Sequence, residues 1–235
     1  MRELIDDEDV RAASGDHALI AHALPYRVPG GASAYVHDRA VALRYDYWDS
    51  PSWIALGPDM DVARLVLALP LGPVDEHVAV PRASIAVLTG PELFPWGFAW
   101  RDRLVGASPT AATWLPPAAA AEIDDLLDGS FPHASTRPSA ARARRWAGIR
   151  GDDGTLVACI VDSSGSSHVG FVASLTVAKS HRGRGLGEAL LGWTVDELLR
   201  DHPRVGLWYE GNNSHAIAIY ERLGFSQLPM VSGAR

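Results

Sequence analysis

One segment, residues 169–191, constrains the fold of this chain more than any other. It reads as an apolar strand over Gly170–Val177, a basic glycine-rich turn and then a helix. A strand that is apolar on both faces is typical of a buried position in an α/β sheet. The helix is indicated by an apolar stripe at Leu190, Leu191, Val195, Leu198 and Leu199. The segment therefore predicts a strand–turn–helix unit.

The turn of this unit, residues 182–187, has the features of an anion-binding site. Its glycines let the backbone approach a ligand closely, and the first N–H groups of a helix have no partner within the helix. The positive end of the helix dipole and the two arginines, Arg182 and Arg184, attract the same negative charge. We therefore expect a pyrophosphate here, although solvation of a surface is the alternative reading for the arginines.

The sequence of the turn does not match two common nucleotide-binding motifs. A Walker loop needs Lys-Ser/Thr to close the turn, and this turn has none. A dinucleotide fingerprint needs Gly-x-Gly-x-x-Gly, whereas the chain has glycines at 183, 185 and 187. The turn therefore predicts neither a Walker ATPase nor a nicotinamide or flavin enzyme.

The segment resembles the GNAT superfamily of acyl-CoA-dependent N-acyltransferases. The family signature, Arg/Gln-x-x-Gly-x-Gly/Ala, is matched by Arg182, Gly185 and Gly187. A second family block, a strand followed by Asn, then Tyr seven residues later and a final Gly-Phe, is matched in the right order. Its residues are Leu207-Trp208-Tyr209, Asn213, Tyr220 and Gly224-Phe225. The letters NNSHAIAIYERLGF also resemble the branch that contains glycine N-acyltransferase-like proteins.

The resemblance implies a role for each part of these blocks. The pyrophosphate would lie on the backbone of Arg182, Gly183, Arg184, Gly185, Leu186 and Gly187. The pantetheine arm would bind backbone groups of Leu175, Thr176 and Val177. Asn213 would contact the pantetheine side of the cofactor and cap the next helix. Tyr220 would protonate the departing thiolate of CoA; a core aromatic is the alternative.

The general base has no clear candidate in the sequence. Several relatives place a glutamate early in the motif strand, where this chain has Gly170 or Phe171. His168, His181 and Glu210 lie nearby in the sequence, and a base that acts through solvent also fits. The nine histidines have no metal-ligand spacing, so we expect no metal. Cys159, in an apolar strand pattern, is expected to be a core residue.

Composition narrows the partners and the compartment. Residues 1–130 hold 9 arginines and 19 acidic residues, a net charge of −10, whereas residues 131–235 carry +3. The basic part suits a polyanionic cofactor, and the acidic part suits a cationic substrate or simply solvates a surface. The total of −7 disfavours nucleic acid as a partner. The amino terminus lacks an apolar signal core and no apolar run approaches a membrane span, so we expect a cytoplasmic protein away from the membrane.

The expected fold is α/β: a mixed, splayed GNAT-type central sheet with helices on both faces. A stretch without periodicity, residues 129–139, suggests a boundary between an amino-terminal α/β region, 1–130, and a catalytic domain, 131–235. The strand, strand, helix, strand order of the first half could be a diverged copy of the same unit. The elements expected outside the motif are helices over 7–23, 61–69 and 118–127 and strands over 41–45, 53–56, 84–88, 143–149 and 156–161, the last two joined as a hairpin.

These observations together predict an N-acetyltransferase. It would move an acetyl group from acetyl-CoA directly to a primary amine of a small molecule or amino acid, without a covalent enzyme intermediate. The alternative is a non-catalytic acyl-CoA-binding module that senses or regulates. A homodimer is compatible with the sequence, and the identity of the amine is not fixed by family membership.

Overall fold

A computed structural model describes residues 1–29, 32–47, 50–72, 77–106 and 111–235. The chain divides into two units. Unit 1 comprises Met1–Ala99, Trp208–Ser214 and Gln227–Arg235, and unit 2 comprises Trp100–Leu207 and His215–Ser226. Both units contain strands and helices, which confirms the α/β class. Unit 2 begins at Trp100, whereas the predicted domain boundary lies between residues 130 and 131. The division into domains 1–130 and 131–235 stays a prediction.

The helices and strands are named here in chain order. The helices are α1 (Asp7–Ala13), α2 (Ala18–Ala23), α3 (Asp59–Ala68), α4 (Ala120–Ser130), α5 (Leu186–Leu198) and α6 (Ser214–Arg222). The strands are β1 (Arg2–Glu3), β2 (Ala34–His37), β3 (Ala40–Tyr45), β4 (Ser52–Leu56), β5 (Val78–Pro81), β6 (Phe94–Arg101), β7 (Thr113–Trp114), β8 (Arg145–Arg150), β9 (Leu156–Asp162), β10 (Gly170–Val177), β11 (Val205–Glu210) and β12 (Ser226–Gly233).

Unit 1 is built on a mostly antiparallel sheet covered by α3. Strands β1 to β4 pair antiparallel in chain order, β4 pairs parallel with β5, and β5 pairs antiparallel with β12. Helix α3 buries Val62, Leu65 and Val66 against a core that includes Trp53 of β4. The parallel pair β4–β5 is therefore connected through a helix, as parallel strands require.

A second part of the unit 1 core is an aromatic cluster of His22, Tyr26, Tyr47, Trp96, Phe98 and Trp208. The rings of Tyr47 and Trp208 lie 4.5 Å apart and those of His22 and Trp208 5.4 Å apart. Trp96 donates a hydrogen bond from Nε1 to Ser232 Oγ at 2.7 Å. Burial lowers the pKa of His22 to about 3, so the imidazole is neutral inside this cluster. Among the aromatic residues of β6, Phe98 is buried and Phe94 is exposed.

Unit 2 repeats the order of unit 1. Strands β7, β8, β9 and β10 pair antiparallel in sequence, and β10 pairs parallel with β11 after α5. Helix α4 packs on one face, where its core contains Trp146, Cys159 and Val161. The side chains that alternate with these point to the other face, and α5 contacts the same strands. This arrangement confirms helices on both faces of the unit 2 sheet.

The parallel pairing of β10 lies at one end of the strand. The paired residues are Gly170 with Val205 and Phe171 with Gly206, whereas the antiparallel pairing of β10 with β9 continues to Val177. The amino end of β10 is therefore held on both sides.

Five of the expected elements are confirmed and three need correction. The helix expected over 61–69 is α3, which begins two residues earlier, at Asp59. The strands near 41–45, 53–56, 143–149 and 156–161 are present, and the last two form the expected hairpin. The helix expected over 7–23 is two helices, because Gly15 and Asp16 have φ of 63° and 53° and turn the chain. The helix expected over 118–127 begins at Ala120 and continues to Ser130.

The strand expected over 84–88 is wrong. Arg82–Val87 forms a 3₁₀ helix instead. The Ser84 hydroxyl donates to Asp59 Oδ1 at 2.9 Å, and the Leu88 N–H bonds the Ile85 carbonyl at 3.0 Å. Local bonds thus replace strand pairing in this segment. Strands β1, β2, β5, β6, β7 and β12 were not expected from the sequence. None of the helices in the described part of the chain combines the length and the apolar character needed to cross a membrane.

Candidate active site

The glycine-rich turn leads directly from β10 into α5. Lys179–His181 form a short 3₁₀ turn, and Gly185 is the N-cap of α5. Gly183 and Gly185 both have φ of 75°, a left-handed conformation that L side chains rarely adopt. A β-carbon at either glycine would have no other heavy atom within 4 Å. The backbone of the turn therefore borders open space.

The start of α5 has no side-chain cap among the described residues. The first N–H groups of a helix have no partner inside it, and most helices satisfy one of them with a side chain at the N-cap. Glycine at this position supplies none. The start of α5 thus presents unbonded donors at the positive end of a 13-residue helix.

The two arginines of the turn are exposed and bond backbone carbonyls. Arg182 donates from Nε to Val177 O at 3.3 Å and from Nη2 to Ser130 O at 3.0 Å. Arg184 donates from Nη2 to Ser180 O at 3.5 Å. Arg182 therefore ties the end of α4 to the end of β10 and stabilises the turn between them. Contact between either guanidinium and a pyrophosphate stays a prediction.

The first turn of α5 packs closely on β10 and is tied to α6. A β-carbon at Gly187 would lie 3.4 Å from Cγ2 of Val177, which is ordinary van der Waals contact. Glu188 lies in the first turn of α5, at the positive end of the helix dipole, and pairs with Arg222 in the last turn of α6; Oε2 accepts from Nε at 3.0 Å and from Nη2 at 2.6 Å. This ion pair joins the helix of the glycine turn to the helix that carries Tyr220.

Strand β10 contains a bulge that the sequence did not predict. The register with β9 shifts between Ala173 and Thr176, and Ser174 has φ of 53°. Ser174 Oγ donates to Thr136 O at 3.0 Å and accepts from Thr136 N at 3.1 Å. The Thr176 hydroxyl donates to Ser174 O at 3.0 Å. The only sequence signal for the bulge is a polar serine inside an otherwise apolar strand.

The predicted pantetheine residues follow the bulge. Leu175 and Val177 are half-buried, whereas Thr176 is 3% exposed. Thr176 is paired across the sheet with Cys159. Val177 points to the side of α5, since a β-carbon at Gly187 would lie 3.4 Å from its Cγ2, and Thr176 points to the opposite face. Binding of pantetheine by their backbone groups stays a prediction.

The second block places its two predicted residues in different surroundings. Asn213 is exposed, directly precedes α6 and donates its N–H to Glu210 O at 3.0 Å. It belongs to unit 1. Tyr220 belongs to unit 2 and is 8% exposed, with its ring 5.9 Å from that of Phe225. The acid role of Tyr220 and the cofactor contact of Asn213 stay predictions.

The candidates for a base are spread over three loops or strand ends. His181 Nδ1 lies 3.0 Å from Ser180 Oγ, in the 3₁₀ turn. His168 is in the loop before β10, where its N–H donates to Ser166 Oγ at 3.2 Å. Glu210 is exposed at the end of β11. The base therefore stays unassigned.

Cys159 is confirmed as a core residue. It is fully buried in β9, and burial raises the pKa of its thiol to about 12. A thiol with this pKa is protonated at neutral pH and is a poor nucleophile. Over the described ranges, no three histidine, cysteine, aspartate or glutamate side chains are grouped as metal ligands would be.

The part of the chain that contains the glycine-rich turn resembles a known protein family. Residues 114–225 match the model of the acetyltransferase (GNAT) family. The chain carries a GNAT acetyltransferase domain. The matched residues run from β7 to the Gly-Phe pair that follows α6, so the GNAT domain contains β10, α5 and Tyr220. This match supports an acyltransferase enzyme, and it leaves the glycine N-acyltransferase-like branch as a prediction.

Solved structures with the GNAT fold resemble nearly the whole chain. A GCN5-related N-acetyltransferase from Kribbella flavida is 18% identical with a TM-score of 0.56, covering 95% of this chain and 93% of its own. A GNAT acetyltransferase from Colwellia psychrerythraea is 11% identical with a TM-score of 0.55, covering 100% and 99%. A GNAT-family protein from Novosphingobium aromaticivorans is 19% identical with a TM-score of 0.54, covering 83% and 88%. At these identities the likeness shows the fold. No curated protein sequence matches the chain.

Proposed function

We propose that this protein is an N-acetyltransferase that moves an acetyl group from acetyl-CoA to a primary amine of a small molecule or amino acid. The observation that carries the proposal is the start of α5. There, left-handed glycines border open space and the first helical N–H groups have no side-chain cap. This arrangement suits the pyrophosphate of CoA, since oriented N–H donors and the helix dipole attract phosphate oxygens.

The same turn orders the rest of the cofactor along β10. With the pyrophosphate on residues 182–187, the pantetheine arm runs back along Val177, Thr176 and Leu175 and places the thioester next to the bulge. Arg182 contributes chiefly by holding the turn, because its guanidinium bonds two carbonyls. Its charge, together with that of Arg184, adds to the attraction for a polyanion.

The transfer is direct in this proposal. The amine attacks the thioester carbonyl, a C–N bond forms, the C–S bond breaks, and Tyr220 gives its proton to the leaving thiolate; the proton that the nitrogen then loses restores the Tyr220 phenol. A neutral amine is needed, so one proton leaves the ammonium before attack, to His168, His181, Glu210 or solvent. An acyl-cysteine intermediate on Cys159 is disfavoured because this thiol is buried and protonated.

The acidic amino-terminal region is assigned to the acceptor. Residues 1–130 carry a net charge of −10, which would raise the local concentration of a cationic amine. In this assignment residues 1–130 act on the acceptor side and residues 131–235 form the acetyl-CoA-binding catalytic domain. The proposal places the protein in the cytoplasm, with no nucleic acid or membrane partner, and admits a homodimer.

The test is turnover with a panel of amines. The protein is incubated with acetyl-CoA and individual amino acids, polyamines or aromatic amines, while release of the free CoA thiol and the mass of the product are measured. We expect at least one amine to accelerate thiol release and gain one acetyl group. Tight binding of acetyl-CoA with no acetylated product would contradict the proposal and would favour an acyl-CoA sensor.

A further inference from the structure

Glu188 lies in the first turn of α5, so the proposed pyrophosphate site has an acidic neighbour. It follows the N-cap, Gly185, by three residues, which is about 4.5 Å along the helix axis. A phosphate group at the helix start would lie within about 10 Å of this carboxylate, so the two negative charges would repel each other. The positive end of the helix dipole attracts both of them. An acidic side chain at this position therefore competes with an anionic ligand.

The position of Glu188 also allows it to occupy the donors of the turn. In a capping box, a glutamate three residues after the N-cap accepts a hydrogen bond from the backbone N–H of the N-cap residue. Glu188 does not make this bond, because its only hydrogen-bond partner among the described residues is Arg222. The carboxylate is thus directed toward α6 and away from the N–H groups of the glycine turn.

Arg222 holds the carboxylate in this orientation. Its Nε and Nη2 both donate to Oε2 of Glu188, at 3.0 and 2.6 Å. The two side chains are 54% and 34% exposed, and an ion pair with this exposure contributes little to the stability of a fold. Its consequence for the charge beside the turn is larger, because the guanidinium cancels the carboxylate at the place where a phosphate is expected.

A similar pair occurs at the start of α4, where no cofactor is proposed. Glu122 lies in the first turn of this helix and accepts from Nη1 and Nη2 of Arg150, at 2.6 and 3.1 Å. The side chains of this pair are also partly exposed. Helix α4 follows a 3₁₀ turn and has Ala119 as its N-cap, without the left-handed glycines of the other turn. The pair of α4 therefore provides a matched control for the pair of α5.

We propose that Arg222 is a positioning residue for cofactor binding: it holds Glu188 away from the N–H groups of the glycine turn and cancels its charge, so that a phosphate of acetyl-CoA can bind there. This inference rests on the proposed binding of acetyl-CoA to the turn. Without Arg222, the carboxylate can accept hydrogen bonds from the turn and repel the phosphates. Glu188 thus lowers the affinity for the cofactor, and Arg222 offsets this effect.

The experiment is a double-mutant cycle on acetyl-CoA affinity. Arg222→Met, Glu188→Met and the double variant are compared with wild type by calorimetry, in about 0.01 M and about 1 M salt. Methionine is chosen because it keeps an unbranched side chain and has no carboxylate or charge. The same three substitutions at Arg150 and Glu122 form the control cycle, and Tm is measured for every variant.

We expect the two single variants to change the affinity in opposite directions. Arg222→Met should weaken acetyl-CoA binding about fivefold, and Glu188→Met should strengthen it about threefold, as is typical of a charge in the first turn of a helix. The double variant should bind within about twofold of wild type, because it has neither the competing carboxylate nor its partner. The differences should shrink in 1 M salt, where exposed charges are screened beyond about 3 Å. The control cycle should leave the affinity unchanged.

Three results would overturn the inference. Wild-type affinity in Arg222→Met would show that Glu188 does not compete with the cofactor. An equal loss in Arg222→Met and in the double variant would show that Arg222 contacts the cofactor itself. Losses of affinity that follow the losses of Tm in both cycles would show that the pair acts through the stability of the fold.

The same measurements separate this inference from the proposed transfer. Affinities in the expected order, in a protein that acetylates no amine, would support the role of Arg222 and contradict the transfer alone. A wild-type protein that does not bind acetyl-CoA would contradict both.

Discussion

The two units contain the same strand–turn–helix connection, and the two connections differ in the space around their glycines. In unit 1, β4 leads through Gly57 and Pro58 into α3, and β5 then pairs parallel with β4. In unit 2, β10 leads through the glycine turn into α5, and β11 then pairs parallel with β10. In each unit four antiparallel strands precede the helix. That the two are copies of one unit stays a prediction.

The difference lies in the side chains at the turn. A β-carbon at Gly57 would lie 2.7 Å from Cα of Ala40, so this glycine serves close packing of the strands. Helix α3 has Asp59 and Asp61 in its first turn, which would repel a phosphate. Gly185 has open space and α5 begins without a cap. The shared topology therefore does not determine the space and charge at the turn; the residues of the turn do.

The largest expected effect comes from closing the open turn. Gly185→Val places a branched side chain at φ of 75°, where the phosphates are expected, and should weaken acetyl-CoA binding more than 100-fold by calorimetry. Gly154→Val is the matched control. Gly154 has φ of 82°, open surroundings and a place in unit 2 in the β8–β9 turn. Both variants suffer the backbone strain, so wild-type affinity in folded Gly185→Val would remove the distinction between the two turns.

The next effect concerns chemistry in unit 2. Tyr220→Phe should keep acetyl-CoA affinity and lower turnover by about 10–10³-fold, which is the usual contribution of a general acid. Tyr45 of unit 1 offers a control, since it is also a buried tyrosine and burial raises its pKa to about 12. Tyr45→Phe should leave turnover unchanged. Full activity in Tyr220→Phe would reduce Tyr220 to a packing residue.

The sequence predicted the elements that local patterns determine, and it missed those that depend on residues far apart in the chain. Strand β10 and helix α5 were predictable because local patterns decide them: a run of apolar residues and a helical stripe. The bulge at Ser174 was not, because it depends on Thr136, which is 38 residues away in the chain. The same holds for β12, whose partner β5 lies in the first half of the chain. The local sequence around these residues contains no pattern that predicts their distant partners.

The same limit of sequence-based prediction applies to the charged side chains of the candidate site. Arg182 was predicted from its place in the turn, and Glu188 lies in the first turn of α5. Their partners, Ser130 and Arg222, lie 52 and 34 residues away, and they turn both side chains toward protein groups. Sequence spacing therefore identified the residues of the turn, but it could not show whether each charge faces the ligand or the fold.

The pH dependence of stability should distinguish the two units. His22 is buried in unit 1 with its pKa lowered to about 3, whereas an unfolded histidine has a pKa of about 6.5. The unfolded chain therefore binds one more proton between these values, so stability is full above pH 6.5 and falls as the pH is lowered toward 3. At pH 5 the loss should be about 2 kcal/mol.

Denaturant unfolding between pH 7 and pH 4 measures this effect, with hydrogen exchange resolving the two units. His22→Leu should lack this contribution to the loss, whereas a change at the exposed His133 of unit 2 should keep it. We expect exchange in the unit 1 core to increase before exchange in β9 and β10. Equal pH dependence in wild type and His22→Leu would show that the aromatic cluster does not set the acid sensitivity of unit 1.

The smallest effect concerns the acidic residues of 1–130 and tests whether this segment attracts the acceptor amine. A net charge of −10 on residues 1–130 attracts a cationic amine at long range. Salt screens exposed charges beyond about 10 Å at 0.1 M, so the attraction weakens as salt rises. The kcat/KM for a cationic amine should therefore fall several-fold between about 0.01 and 0.3 M salt, while that for a neutral amine of similar size should change little. A parallel fall for both amines would point to the cofactor, whose proposed binding turn lies in unit 2. No change for either would leave the charge of residues 1–130 to solubility, and the comparison of the two units would then rest on the glycine turn alone.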